Sequence, residues 1–490
     1  MAIYLTVFAI VFPALMGALI LPIKFPKKQM MQIYIMTVVL INSIATLAVC
    51  FNRPSESLQL ISITSNIQIA LKVDGLGALF AGLVAILWPF ATLYSFEYMK
   101  HEDRVKAFFT FYTMTYGITL GVAFSANAVT LYLFYELLTL ITTPLVYHHQ
   151  TKESRKAAMK YLFYSISGAA LGFIALVYII IYGTSTDFVY GGVIDYAKAL
   201  NISDVMQVAY VLAFIGFGVK AAVFPFHGWL PTASVAPTPV TALLHAVAVV
   251  KAGAFAVIRF TYYIFGTEYL KGSTAQIIVT LIAAVTIIYG SSMAVKEQHF
   301  KRRLAYSTVS NLSYILIGVA MMTPLGLNGA LAHMVFHAVM KITAFFCAGA
   351  VNVGAGRYYV HELDGLGRKM PITFAAFTIS SLAMVGVPPF MGFISKWHLS
   401  RAAVASGDWL AIISIAAIFI SAILVAIYMG GIVVRAYYPA KKDIVFTEKD
   451  KDPGIARLIP LIVFSVLMIV FGVRSADIVG FIGDIAHGLA

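Results

Sequence analysis

The sequence predicts an all-α polytopic membrane protein of about fourteen transmembrane helices, the seventh and twelfth of them broken, and three observations carry that prediction. Of the 490 residues, 61% are hydrophobic and only 11% charged, with a mean hydropathy of +0.89, whereas soluble domains carry about a quarter charged residues. Apolar runs of about twenty residues, each long enough to cross a hydrocarbon core of roughly 30 Å as a helix, recur from end to end. Lysine and arginine alternate, loop by loop, between a crowded side and a sparse one.

The runs fall near 2–22, 30–50, 76–98, 107–124, 128–149, 161–182, 207–230, 240–262, 275–294, 306–323, 327–350, 373–403, 409–432 and 457–475. The first follows Met1 directly, without a basic leader or a small-residue cleavage site, and is expected to be a retained helix. Loops after odd-numbered runs hold 23 of the 34 lysines and arginines, in the segments 24–28, 100–106, 152–160, 296–303, 357–369 and 435–457. Seven lie on the other side: Arg53, Lys72, Lys198, Arg259, Lys271, Arg401 and Arg474. By the positive-inside rule both termini are expected to be extracytoplasmic, in a cell inner (plasma) membrane. The net charge of +13 therefore reads as topology, and no nucleic-acid partner is implied.

Between the second and third runs, LQLISITSNIQIAL alternates apolar and polar residues around Ser65-Asn66, which predicts a small extracytoplasmic β-hairpin. The other long polar breaks, 183–206 and 434–456, read as loops of one membrane domain. Run seven contains VKAAVFPFHGWLP and run twelve MVGVPPFMGFISKWH. Pro225 and Pro388-Pro389 remove helix hydrogen bonds near the bilayer interior, where unwound backbone survives only if protein buries it or water lines it. The breaks lie an odd number of runs apart, so 107–262 and 275–432 are expected to form two inverted five-helix repeats. Residues 1–106 then supply three preceding helices with the hairpin, and 433–490 a cytoplasmic loop with the last helix.

Cys50 and Cys347 lie in separate runs, which excludes a cysteine-held iron–sulfur cluster, and no phosphate- or dinucleotide-binding glycine pattern is present. No cofactor and no redox or hydrolytic site is expected. A charged side chain at a helix centre opposes insertion by roughly 2.5–3.5 kcal/mol, so those that occur need a reason. Glu136, in LYLFYELLTL, is the one acidic residue expected deep within a run, and Lys220 precedes Pro225; paired, both can stay charged, either as a working pair or as a structural salt bridge. His245 and Lys251 share run eight, where six residues turn a regular helix through about 600° and put them on different stripes. HMVFHAVMK in run eleven sets His333, His337 and Lys341 at i, i+4 and i+8 on one face, the most specific pattern in the chain. Lys396 follows the second break. Histidine exchanges protons at low cost and a buried lysine does so more readily than an exposed one, so the pattern points to proton transfer. A metal site is disfavoured because the stripe has no Glu, Asp or Cys and Lys341 repels a cation. His148, His149, His227 and His398, nearer helix ends, read as gates or interface residues.

These segments resemble the antiporter-like subunits shared by respiratory complex I, Mrp-type sodium/proton antiporters and membrane-bound hydrogenases. The resemblance rests on LYLFYELLTL, on VKAAVFPFHGWLPTASVAPTPVTALLHAVAVVKAG, on HMVFHAVMK and on GVPPFMGFISK, and covers runs four to thirteen. It implies a proton path through Glu136, Lys220, His245, Lys251, His333, His337, Lys341 and Lys396. It also implies other membrane subunits as partners, the bilayer as surroundings, and protons, or protons with sodium, as the transported ions. Carrying both His245 and Lys251 is similar to the large Mrp A-type subunit, while Lys396 departs from one complex I paralogue that has glutamate there. The alternatives are a stand-alone cation/proton antiporter and a non-transporting structural subunit.

Overall fold

The computed structural model describes residues 3–64, 67–439 and 446–489; Ser65 and Asn66 of the expected turn, and Lys441 and Lys442 of the basic loop, lie outside the described residues. The helices are α1 (Tyr4–Leu19), α2 (Lys28–Asn52), α3 (Gly75–Tyr98), α4 (Val105–Ala123), α5 (Ala128–Val146), α6 (Lys152–Tyr182), α7 (Tyr196–Ala199), α8 (Ser203–Gly218), α9 (Trp229–Thr232), α10 (Thr238–Ala242) and α11 (Val249–Ile258). They continue with α12 (Thr267–Leu270), α13 (Thr274–Lys296), α14 (Phe300–Ala320), α15 (Pro324–Ala355), α16 (Pro371–Val385), α17 (Met391–Ser406), α18 (Trp409–Tyr437), α19 (Ile455–Val473) and α20 (Ala476–Ala486). Ten helical stretches among the described residues are long and apolar enough to cross a membrane, and the protein is a multi-pass membrane protein. The runs expected at 107–124 and 306–323 became α4 and α14, which are not among the ten; threonines and tyrosines in the first, and Lys301, Arg302 and Arg303 in the second, dilute their hydropathy.

Helix starts follow local sequence. Asp74, Asn127, Thr151, Ser273, Thr323 and Asp408 each accept a backbone N–H from three residues on, capping α3, α5, α6, α13, α15 and α18, the standard way to satisfy a first-turn donor. The alternation at 58–71 does form a hairpin, β1 (Leu58–Thr64) antiparallel to β2 (Ile67–Leu71), with Leu58 opposite Leu71. It docks on α5, where Thr130 Oγ1 accepts from Ala70 N at 2.9 Å and Asn127 Nδ2 donates to Gln68 O at 3.0 Å.

The core is built around two enclosed stretches, 238–265 and α15, buried on all sides. α15 packs on α14, α16, α17 and α19, while α8 packs on α6 and α11. Run eight is not one regular α-helix. α10 passes into a π-helix, Leu243–Val247, then α11, then a second π-helix, Arg259–Phe265. The wider winding, seen in the Ala248 N to Leu243 O bond of 3.0 Å, changes the phase between His245 and Lys251 from that of a regular helix; π-turns within helices occur often at functional sites.

Candidate functional site

The first break unwinds the chain between α8 and α9 and puts Lys220 in the unwound segment with no exposure, just before Ala222, which has a left-handed φ of 59°. Lys220 Nζ donates to the Tyr135 carbonyl and lies 3.2 Å from the centre of the Tyr135 ring. Glu136 Oε1 is 3.9 Å away. The Glu136 side chain is 24% exposed, so the expected deeply buried carboxylate is instead on the outer flank of α5. Tyr135 takes the inward position next to it, and the lysine is held by a carbonyl and a ring as much as by the carboxylate.

α11 passes very close to that segment. A Cβ at Gly253 would stand 2.6 Å from Ala221 N and 2.9 Å from the Lys220 carbonyl carbon, so only glycine lets the two backbones meet. Half a turn earlier on α11, Lys251 Nζ bonds His337 Nδ1 on α15 at 2.9 Å. The His337 and His333 rings stack at 5.7 Å. His333 Nδ1 pairs with Ser395 Oγ at 3.0 Å, and the Tyr314 ring bridges onward, 5.2 Å from the His333 ring and 5.3 Å from Lys396 Nζ. Lys396 donates to Met384 O at 2.7 Å and Val385 O at 2.9 Å, carbonyls that the second break leaves without helical partners at the C-terminus of α16, where a cation is favoured.

Two expected relations differ. Lys341 does not continue the histidine line: its Nζ donates to Leu304 O at 3.3 Å and to Ser307 Oγ, both on α14. Eight residues turn a helix about 80° past two full turns, enough to carry the third member sideways. His245 does not bridge Lys220 and Lys251. It sits in the first π-helix against Phe345, ring centres 4.8 Å apart, and neither of its buried nitrogens has a protein partner.

Sequence reasoning missed Tyr314, Ser395 and Ser307; Ser395 adjoins Lys396 beside the second break, whereas nothing marks Tyr314. It also counted Arg259 with the sparse side of the membrane. Arg259 is buried in the second π-helix and paired with Asp74, its Nη2 2.6 Å from Oδ1, with the Phe188, Phe255 and Tyr263 rings within 5.0 Å of the guanidinium carbon. At the edge of the helices, burial pushes the Asp74 carboxyl up, but Arg259 and the Gly77 amide outweigh it and hold it below the usual carboxylate range.

Residues 125–421 match the family described as NADH:quinone oxidoreductase/Mrp antiporter, transmembrane, and residues 60–109 match the N-terminus of chain 5 of NADH-ubiquinone oxidoreductase (complex I). Among curated proteins the chain is 30% identical over 424 residues to NADH-quinone oxidoreductase subunit N of Desulforudis audaxviator, covering 84% of this chain and 83% of that one. It is 32% identical over 438 residues to the A-type subunit of the Na(+)/H(+) antiporter of Alkalihalophilus pseudofirmus, covering 83% of this chain and only 52% of that relative. It therefore spans about half the length of the antiporter protein. Among solved structures, a chain of the Mrp complex from a Dietzia species superposes with a TM-score of 0.83 at 19% identity, covering 100% of this chain and 97% of that one. A chain of an archaeal membrane-bound sulfane sulfur reductase gives 0.82 at 21%, with 100% and 96% covered.

Proposed function

The chain belongs to the antiporter-like membrane subunits of complex I, Mrp antiporters and related respiratory complexes, and from that premise we propose that it moves protons across the membrane as one subunit of a multisubunit ion-pumping complex. The observation that carries this reading is the line of neighbouring polar side chains Lys251, His337, His333, Ser395 and Tyr314, Lys396, linked by hydrogen bonds and ring contacts through the enclosed core. Glu136 and Lys220 begin the path, Lys251 crosses from α11 to α15, and Lys396 ends it beside the second break. Lys341, one turn from His337 on α15, and His245, packed on Phe345 of the same helix, flank the line. About fourteen spans, with 107–262 and 275–432 as inverted repeats, give each repeat one broken helix and one such lysine. The partly exposed flank of Glu136 favours a neighbouring subunit over a chain acting alone. Sodium exchange is the second reading for the ion, supported by the name of the antiporter relative.

Lys341→Ala tests the reading. Transport per assembled complex is expected to fall by about a hundredfold, the effect of removing a positioned proton-transfer group, while the complex stays in the membrane. Loss of the complex with normal transport in what remains would make Lys341 structural. A second experiment tests topology. The basic loops are expected on the cytoplasmic side, so a cysteine at Arg302 should label from that side and one at Lys271 only from the other. Arg302 is the probe because its neighbour Lys301, counted with the loops in the sequence, is buried at the start of α14. Labelling of Lys271 from the cytoplasm alone would overturn the orientation.

A further inference from the structure

A groove of about 560 Å³, within the usual size range of ligand sites, opens on the flank of the bundle between α2 and α3 on one side and α19 and α20 on the other. Its walls are apolar, among them Leu47, Leu83, Ile86, Leu467 and Phe471. It runs inward to Val335 and Val339 of α15, only 8% and 3% exposed, and so reaches an otherwise enclosed helix. Each valine follows one of the stripe histidines, His333 and His337, by two residues, about 200° of helical turn, so the groove meets the back of the helix that carries the polar line. Gly82 stands in the wall, and nothing packs within 4 Å of where its Cβ would be. At Gly253 the missing side chain admits another backbone; at Gly82 it leaves space that the protein does not fill. Charge enters the lining at one end, with Arg53 closing α2 and Asp477 in the first turn of α20. Both are exposed. The Arg53 guanidinium lies 5.2 Å from the centre of the Phe481 ring, and neither residue joins an ion pair among the described residues.

We propose that this groove binds one phospholipid with a primary amine in its headgroup, the acyl chain lying on the apolar walls, the phosphate on Arg53 and the ammonium on Asp477. The charges decide the class of ligand. A slot that is apolar along its length and carries one cation and one anion at a single end matches an amphiphile whose head holds both an anion and a cation. A guanidinium offers paired N–H donors to a phosphate, and a carboxylate accepts from an ammonium. Arg53 and Asp477 lie at helix ends, the level of lipid headgroups, so the chain runs from them down the groove towards α15. A helix of a neighbouring subunit fits the groove less well. Helices in membranes pack through small residues that let backbones approach, whereas the groove is edged by Phe51, Ile86 and Phe471, with Phe51 84% exposed. Such side chains hold a helix off, and a thin flexible chain passes between them. Left empty, the slot would deprive α15 of packing contacts on that side. The bound chain therefore completes the packing behind His333 and His337, whichever ion the protein moves.

The assembled complex, purified in mild detergent and washed free of loosely held lipid, is offered equal amounts of phosphatidylethanolamine and phosphatidylglycerol. The lipid retained per complex is then counted by mass spectrometry of a solvent extract. Complex with the unaltered chain is expected to retain one phospholipid more than complex with Gly82→Phe, whose ring fills the slot, and that extra lipid is expected to be phosphatidylethanolamine. Arg53→Gln, a surface change, is expected to weaken retention about tenfold or more, the loss of a charge-assisted bond to phosphate. Asp477→Asn is expected to keep the lipid and lose the preference for the amine headgroup. Equal lipid counts with and without Gly82→Phe would overturn the site, and so would retention unchanged by Arg53→Gln. If Gly82→Phe does not assemble, Arg53→Gln decides: weakened retention supports the site, and full retention overturns it and leaves a neighbouring helix as the occupant. Preference of the unaltered complex for phosphatidylglycerol, or a preference for the amine that survives Asp477→Asn, would overturn the headgroup assignment.

Discussion

Lys251→Ala is expected to abolish proton translocation while the chain remains in the membrane and in its complex. Lys251 makes the hydrogen bond between α11 and α15, and among the described residues no other bond joins a titratable group of one to a titratable group of the other. Removing a positioned proton-transfer group costs about 10²–10⁴-fold. Removing a buried charge relieves an insertion cost of roughly 3 kcal/mol, so assembly is not expected to suffer. Lys251→Arg sharpens the test: it keeps the positive charge but does not give up its proton in a protein. A relay lysine fails in both variants, and a structural cation survives as arginine. Proton uptake by inverted vesicles, divided by the amount of assembled complex, is the measurement, and normal uptake with Lys251→Arg would remove Lys251 from the path.

Lys220 and Glu136 should separate from each other more than a simple ion pair would. Lys220→Ala removes the buried amine of the first unwound segment and is expected to stop transport, again by about a hundredfold or more. Glu136→Gln is expected to cost about tenfold, equivalent to about 1.4 kcal/mol on the barrier, because Lys220 keeps the Tyr135 carbonyl and ring when the carboxylate loses its charge. The exchanged pair, Glu136→Lys with Lys220→Glu, restores charge balance and should restore assembly. It should not restore transport, because the outer flank of α5 cannot present its lysine where the unwound segment does. Full transport by the exchanged pair would reduce Glu136 and Lys220 to a structural salt bridge.

Both predictions lean on features of unequal visibility in the sequence. The helices and both breaks were legible because hydropathy and proline act locally, and the capping residues mark where many helices start. The hairpin at 58–71 was legible from alternation alone. The histidines at 333 and 337 were legible because a period of four on one helix needs no knowledge of its neighbours. The partners of those residues were not. Which helix Lys341 leans towards, that Lys251 meets His337, and that Tyr314 spans His333 and Lys396 all depend on how separate helices pack, and no local pattern encodes that. The exposure of Glu136 was misjudged for the same reason: depth along a helix can be counted, but the side that faces outward cannot. The π-helices went unseen because a five-residue winding leaves no compositional mark in an apolar run.

The bond between Lys251 and His337 imposes a rhythm on whatever crosses it. An ammonium has only donors, so while Lys251 is charged, Nδ1 of His337 must be the bare nitrogen and the ring hydrogen must sit on Nε2. When the proton passes to Nδ1 and another leaves from Nε2, the ring is left as the opposite tautomer, its hydrogen pointing back at the lysine. A newly charged Lys251 would then face a donor with a donor. The next crossing waits until the ring has handed its hydrogen back round to Nε2, the nitrogen that has no protein partner and so is open to the groups that reset it. On the proposed path the junction would act as a turnstile, admitting one proton and then staying closed until the imidazole is returned to its starting tautomer.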